Sequence, residues 1–364
     1  MLNFIIWDFS PALFTLGSWE LRWYSLLFAM GFILGGQLLT WIYKQEGRNE
    51  KYVETLTLYM VPATVLGARL GHCLFYDPAY YLANPIEILK VWEGGLASHG
   101  ATIGILFAIY LYSRAHKDQS YLYVLDRLVI TIAIAACLIR VGNLMNSEIY
   151  GKITNSDLGF LFIHGAEKSL QDRFGDNFTD IQIQYNQNDT LIGDKKLGIL
   201  NLSMTSQSTG VPYHKLKDFV EDRVQRALMS TENTDVTENI FLPETKFQYH
   251  IHRNENGTGL ITVPLYGFAR YPTQIFEALF GLLLFVFLFY TYLKYKAQTP
   301  EGRLLGWFIV LLFTNRLLVE FLKAPQVDFE NGMPLNMGQI LSLPLIIVGI
   351  WVVWRSYKTT PKIK

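Results

Sequence analysis

Residues 140–151, RVGNLMNSEIYG, decide how the rest of the chain is read. The stretch begins inside an apolar run, 122–145, and ends in polar sequence. An arginine placed in such a run costs about 2.5–3.5 kcal/mol at the centre of a membrane, so it requires a partner or a ligand. Arg140 and Asn143 stand three apart and share a helical face. Gly142 between them lets a neighbour approach the backbone closely. Together they mark a docking place for an anion.

Working outward, the chain of 364 residues is 51% hydrophobic and 15% aromatic, with a formal net charge of zero. Its apolar residues gather in blocks of about 17–24, the length that spans hydrocarbon at about 1.5 Å per residue. The expected class is an all-α polytopic membrane protein of about seven transmembrane helices. The crossings are predicted at residues 23–43, 53–76, 96–113, 122–145, 275–293, 304–322 and 338–354. No basic surplus points to nucleic acid. Cys73 and Cys137 fall inside apolar blocks, where a thiol packs as a small hydrophobe, and no disulfide framework is implied. Residues 1–20 carry Trp7, Phe9, Phe14 and Trp19 without a basic leader. They read as an interfacial segment, not a cleavable signal peptide.

Basic clusters follow crossings one, three, five and seven: Lys44, Arg48 and Lys51; Arg114 and Lys117; Lys294, Lys296 and Arg303; Arg355, Lys358, Lys362 and Lys364. The opposite short loops hold few, which places the N-terminus outside and the C-terminus inside. Three segments follow: 1–151, the interfacial segment and helices one to four; 152–262, an extracytoplasmic insertion between helices four and five; and 263–364, helices five to seven with a basic cytoplasmic tail. Within the insertion, DIQIQY (180–185) and parts of KKLGILNL (195–202) and KFQYHIHR (246–253) alternate as half-buried strands do. Leu216, Phe219, Val220, Val224 and Ala227 recur at helical spacing. A small α/β domain is expected there.

With this topology the intramembrane polar groups gather toward the outer side. Tyr24 opens the first crossing; Arg69 and His72 lie in the second, and His99 at the mouth of the third. Arg140 and Asn143 end the fourth, with Asn146 and Glu148 just beyond. Gln274 and Glu277 open the fifth, Arg316 and Glu320 lie in the sixth, and Gln339 opens the seventh. A transmembrane pathway would spread such groups through the depth, whereas a site for something half-inserted from outside would cluster them. Plainer readings stand beside this one. Arg316 and Glu320, at i and i+4, can neutralise one another, and Arg69 can snorkel to headgroups. Gly31 with Gly35, and Gly67 with Gly71, form helix-packing patterns. Tyr24 suits an aromatic belt, His99 can be structural, and Asp126 and Arg127 suit topology better than chemistry.

RVGNLMNSEIYG resembles the signature of the bacterial prolipoprotein diacylglyceryl transferases. The resemblance continues in LRWYSLLFAMGF (21–32), GARLGHCLFYD (67–77), GGLASHGA (94–101), YPTQIFEA (271–278), NRLLVEFLKAPQ (315–326) and MGQILSLP (337–344). The chain departs from the family where Ala101 replaces a glycine and Tyr271 a histidine. The resemblance implies an inner-membrane enzyme, its site facing the outer leaflet, that moves the diacylglyceryl group of phosphatidylglycerol onto the lipobox cysteine of a prolipoprotein signal peptide. It implies His99, Arg140 and Arg316 as catalytic. Tyr24, Arg69, Asn143, Asn146, Glu148, Gly151, Gln274, Glu277 and Glu320 would bind the lipid. No metal or cofactor is expected; the partners are the lipid, the peptide and the surrounding membrane. A seven-helix transporter or sensor with a ligand-binding outer domain, and a different lipid-headgroup transferase, are the competing readings.

Overall fold

The computed structural model describes residues 4–17, 19–91, 95, 97–230, 234–243, 247–323 and 333–358. Leu96 of the third predicted crossing, Lys246 of the predicted strand and Lys362 and Lys364 of the tail lie outside the described residues. The elements run β1 (Ile5–Trp7), β2 (Ala12–Leu16), β3 (Trp19–Arg22), α1 (Trp23–Gln45), α2 (Lys51–Phe75), α3 (Pro78–Ala83), α4 (Ser98–Ala115) and α5 (Tyr121–Met145). Then follow β4 (Phe160–Phe162), α6 (His164–Phe174), β5 (Phe178–Ile192), β6 (Lys195–Thr209), α7 (Tyr213–Phe219), α8 (Gln225–Met229), α9 (Thr234–Thr237), β7 (Ile240–Phe241), β8 (His250–Arg253) and β9 (Thr258–Arg270). The last three are α10 (Thr273–Tyr295), α11 (Arg303–Val319) and α12 (Met337–Lys358). The protein is mostly helical, and α1, α2, α5, α10 and α12 are long and apolar enough to cross a membrane.

The chain forms two compact units. One comprises residues 28–138, 279–317 and 337–364 and is built of packed helices. Small residues set its closest approaches. A Cβ on Gly67 of α2 would lie 2.5 Å from the carbonyl oxygen of Gly100 in α4, and one on Gly71 2.7 Å from Gly100 Cα. Gly31 and Gly35 of α1 face Ala135 and Thr131 of α5 at 3.2 and 3.3 Å by the same measure. Both glycine patterns serve close packing: a side chain at Gly67 or Gly71 would force the backbones apart, while one at Gly31 or Gly35 would need its neighbour to give by a few tenths of an ångström. Arg127 and Glu46 pair at 3.0 Å with both side chains 1% exposed. Asp126 accepts from the backbone N–H of Gly302 (2.6 Å) and Leu305 (2.8 Å), groups at the start of α11 that have no helical partner of their own.

The other unit comprises residues 1–27, 139–278 and 318–336. Its sheet has the order β1-β4-β9-β6-β5, with β7 and β8 also paired to β9. Ile181, Ile183, Leu200, Leu202, Met204, Ile261, Val263 and Leu265 are buried in one cluster with Leu170 and Phe174 of α6 and Leu216, Val224 and Ala227 of the following helix. That helix, legible in the periodicity of 214–229, carries a π turn at Val220–Val224 between α7 and α8. Residues 1–20 were expected only to lie at an interface. Instead β1 pairs in parallel with β4, Ile5 opposite Phe160 and Trp7 opposite Phe162, while β2 and β3 form a hairpin. Trp7 Nε1 donates to the carbonyl of Leu144 at 3.0 Å, which ties this strand to the end of α5.

Candidate active site

Nine of the twelve residues singled out from the sequence fall in the sheet-containing unit: Tyr24, Arg140, Asn143, Asn146, Glu148, Gly151, Gln274, Glu277 and Glu320. The centre of this group is Arg140, in the last two turns of α5, with 30% of its side chain exposed. Its Nε lies 3.1 Å from Oε2 of Glu277, and its Nη1 donates to Oδ1 of Asn143 at 3.2 Å. Nη2 makes no hydrogen bond among the described residues. The guanidinium is thus oriented on two sides and open on a third.

Asn143, buried one turn below, passes the orientation on. Its Nδ2 donates to Oε1 of Glu148 at 2.8 Å, and Asn146 Nδ2 reaches the same oxygen at 3.3 Å. Gln274 Nε2 donates to the backbone carbonyl of Glu148 at 2.7 Å. These contacts fix which end of each amide is which, since a carboxylate or carbonyl oxygen can only accept, so the amide end facing it is the N–H. They leave Asn146 Oδ1, Gln274 Oε1 and the hydroxyl of Ser147 buried with no partner among the described residues. Two of these atoms are acceptors only, so a visitor that satisfies them must donate hydrogen bonds. Ser147 and Ile149 hold positive φ angles of 52° and 59°. For a β-branched residue such as Ile149 that conformation is strained. The Glu148 contact with Gln274 and a 3.0 Å bond from Thr273 Oγ1 to the Ile149 carbonyl hold the turn in place.

Gly151 closes the stretch for a steric reason. Its N–H donates to the Tyr271 carbonyl at 2.8 Å, and the next N–H, of Lys152, to the Leu322 carbonyl at 2.7 Å. A Cβ on Gly151 would stand 2.7 Å from Tyr271 Cβ and 2.8 Å from the Leu322 oxygen. Tyr24 has a similar relation to Gly142, where a Cβ would meet Tyr24 Cδ2 at 2.9 Å. The close approach at Gly151 brings in Lys323, a residue that sequence reasoning passed over. Lys323 is 6% exposed in its side chain, donates to Oε1 of Glu277 at 2.9 Å, and lies 3.6 Å from Glu320. Glu320 also accepts from Asn336 at 2.9 Å. The motif carried only part of this signal, a lysine three residues after Glu320; the Glu277 contact lies 46 residues away.

The remaining three residues lie in the helical unit. His99, exposed at the start of α4, sits against two rings at the end of α2: Phe75, edge-on at 5.1 Å, and Tyr76, stacked at 6.0 Å. Arg69 is 3% exposed. Its guanidinium donates to the backbone carbonyls of Ile88 (3.0 Å), Glu87 (2.5 Å) and Gly95 (3.4 Å) and lies over the ring of Tyr81. It holds the loop between α2 and α4, a task that no local pattern announces. Arg316 is exposed in the last turn of α11, and Gln339 of α12 donates to the Leu317 carbonyl at 3.3 Å.

Fold and site together define a membrane protein of several apolar helices in which a half-exposed arginine at a helix end is braced by carboxylates and amides. The family model for the prolipoprotein diacylglyceryl transferases matches residues 11–355, and the chain belongs to that family. It is 35% identical to the phosphatidylglycerol–prolipoprotein diacylglyceryl transferase of Porphyromonas gingivalis, over 98% of this chain and 95% of the relative. The proteins of the same name from Chloroherpeton thalassium and Tolumonas auensis are 33% and 32% identical. The first alignment covers 98% of this chain and 96% of the relative, the second 97% and 98%. The family expected from the motifs is the family found.

Proposed function

We propose that the protein transfers the diacylglyceryl group of phosphatidylglycerol to the lipobox cysteine thiol of a prolipoprotein and releases glycerol phosphate. The activity named for the relatives supports this, and they align with the chain almost end to end. The single observation that carries the reading to a site is Arg140, braced by Glu277 and Asn143 with Nη2 open. In the reaction the thiol sulfur attacks the glyceryl carbon that bears the phosphate, and the C–O bond breaks toward phosphorus. The leaving group gains negative charge on its phosphate oxygens. A guanidinium matches those oxygens and keeps its proton, and its pull strengthens where water is scarce.

Arg140 takes the phosphate, and the resemblance assigns Arg316 the second cationic contact. Asn146, Ser147, Glu148 and Gln274 receive the hydroxyls of the headgroup glycerol, which supply the donors that the unpartnered oxygens lack. Glu277 and Lys323 set the angle of Arg140, with Glu320 behind Lys323, while Tyr24 and Gly151 shape the walls. Arg69 acts through the loop it holds. His99 takes the thiol proton, since a cysteine with a pKa near 8.5 is mostly protonated at neutral pH. The membrane arrangement that accompanies this reading has seven crossings, the N-terminus and the 152–262 insertion outside, the C-terminus inside, and the site open to the outer leaflet of a bacterial inner membrane.

The test uses membranes carrying the protein, radiolabelled phosphatidylglycerol and a lipobox peptide. Label should pass to the peptide, and Arg140→Ala should abolish the transfer while the protein still inserts. Labelling at a near-normal rate by Arg140→Ala membranes would show the phosphate assignment to be wrong. An unlabelled peptide with the unaltered protein would remove the whole reading.

A further inference from the structure

Arg270 has no part in the reaction as written, yet it is 6% exposed at the end of β9. Every nitrogen of its guanidinium is engaged. Nε donates to Asn239 Oδ1 at 3.2 Å, Nη1 to the Gly151 carbonyl at 3.2 Å, and Nη2 to the Glu238 carbonyl. Its Cζ lies 4.6 Å from the centre of the Tyr150 ring. The Tyr150 hydroxyl donates to the Glu238 carboxylate and accepts from Asn239 Nδ2 at 3.3 Å. Tyr150 and Gly151 are the last two residues of the 140–151 stretch, while Glu238 and Asn239 belong to the insertion, between α9 and β7. Three residues beyond Arg270 the chain enters α10, which carries Gln274 and Glu277.

Burying a guanidinium costs desolvation, and well-packed apolar groups often stabilise a fold as well or better. What apolar groups lack is the rigid fork that holds several acceptors in one plane. Burial pushes the Arg270 pKa below its ordinary value and raises that of Tyr150 to about 12, in keeping with a water-poor cluster. We infer that Arg270 is a positioning residue: its fork locks the end of the 140–151 stretch to the insertion and to the entry of α10. Glu148 and Gln274 are thereby kept in register for the lipid headgroup. The insertion thus sets the affinity for the phospholipid without touching it. This inference rests on the transfer reading above.

The test compares Arg270→Gln, Arg270→Lys and Glu238→Gln with the unaltered protein, measuring KM for phosphatidylglycerol, KM for the lipobox peptide, kcat and the thermal midpoint. Arg270→Gln should raise the lipid KM by about tenfold or more, since small misplacements of positioning groups have large effects, and leave the peptide KM unchanged. Arg270→Lys should recover part of that loss, because an ammonium keeps the charge but cannot span three acceptors. Glu238→Gln, which loosens only Tyr150, should raise the lipid KM by a smaller factor. An unchanged lipid KM in the folded variants, or a fall in kcat alone that tracks the folded fraction, would overturn the inference. If Arg270→Gln does not fold, an unchanged lipid KM in Glu238→Gln overturns it equally. Absence of lipid transfer by the unaltered protein would instead strike the transfer reading.

Discussion

Arg140 and Lys323 hold the same carboxylate, one through each oxygen of Glu277. The lysine side is nearly closed to solvent, at 6% and 8% exposure of the two side chains. Removing Glu277 leaves the buried Lys323, among the described residues, with only its longer 3.6 Å contact to Glu320. Glu277→Gln should therefore destabilise the protein by about 3–5 kcal/mol, and the double change Glu277→Leu with Lys323→Met should restore much of that. Thermal midpoints in detergent micelles read both. The double variant should regain stability but not transfer, because Arg140 has lost its brace.

The two glycines of the 140–151 stretch should respond differently to alanine. At Gly151 a methyl meets backbone oxygen at 2.8 Å from two segments. At Gly142 its nearest contacts are the Tyr24 ring at 2.9 Å and the Tyr24 Cα at 3.2 Å, so a single residue must give way. Gly151→Ala should cost about 1–3 kcal/mol through overpacking, and Gly142→Ala less. Denaturation midpoints and transfer rates of the two variants, measured side by side, should keep that order.

His99 stands exposed between Phe75 and Tyr76, open to an incoming thiol. If it removes the thiol proton, His99→Gln should lose transfer at neutral pH. Part should return as pH rises past about 8.5, where the cysteine ionises unaided. A pH–rate profile for the variant decides the matter; a loss that stays constant across pH would remove the base role.

In the sheet-containing unit, burial raises the Glu167 pKa above its usual 4.5, and the neighbouring Asp8 adds to the shift; Asp180 acts in the same direction. A carboxyl whose folded pKa is raised binds more protons folded than unfolded, so its contribution to stability is present below the unfolded value and lost as pH rises through the folded one. Thermal midpoints should fall as pH rises from about 4.5 toward that raised value. Glu167→Gln should flatten this part of the curve. His164, 3.4 Å from Asp8, faces the same group, so the comparison is made against His164→Gln as well.

Some helix ends were legible from where an apolar run stops, although α11 ends at Val319, short of the expected 322, and α12 runs on to Lys358, past the expected 354. α1 starts at Trp23 and α5 stops at Met145, where the residue pattern changes. The Arg140–Asn143–Glu148 chain was legible for a related reason: neighbours on one helix face and the turn after it are local. Lys323, Arg270 and Arg69 were not, because each is defined by what it meets far along the chain. A lone lysine after an apolar run reads as an interfacial cation until Glu277 is seen beside it. Arg69 reads as a headgroup ligand until three loop carbonyls are found around it. The strand β1 is three residues long, too short for any periodicity to declare it.

That strand has a consequence for how the molecule is made. Its partner, residues 160–162, emerges only after α1, α2, α4 and α5 have been synthesised. Residues 5–7 must therefore stay without this partner, and Phe4 and Trp7 without their cover, until residues 160–162 have followed. Slow delivery of residues 150–170, or a fusion placed ahead of Phe4, would lengthen that wait and should show itself as protease-sensitive nascent protein before any defect appears in the finished enzyme.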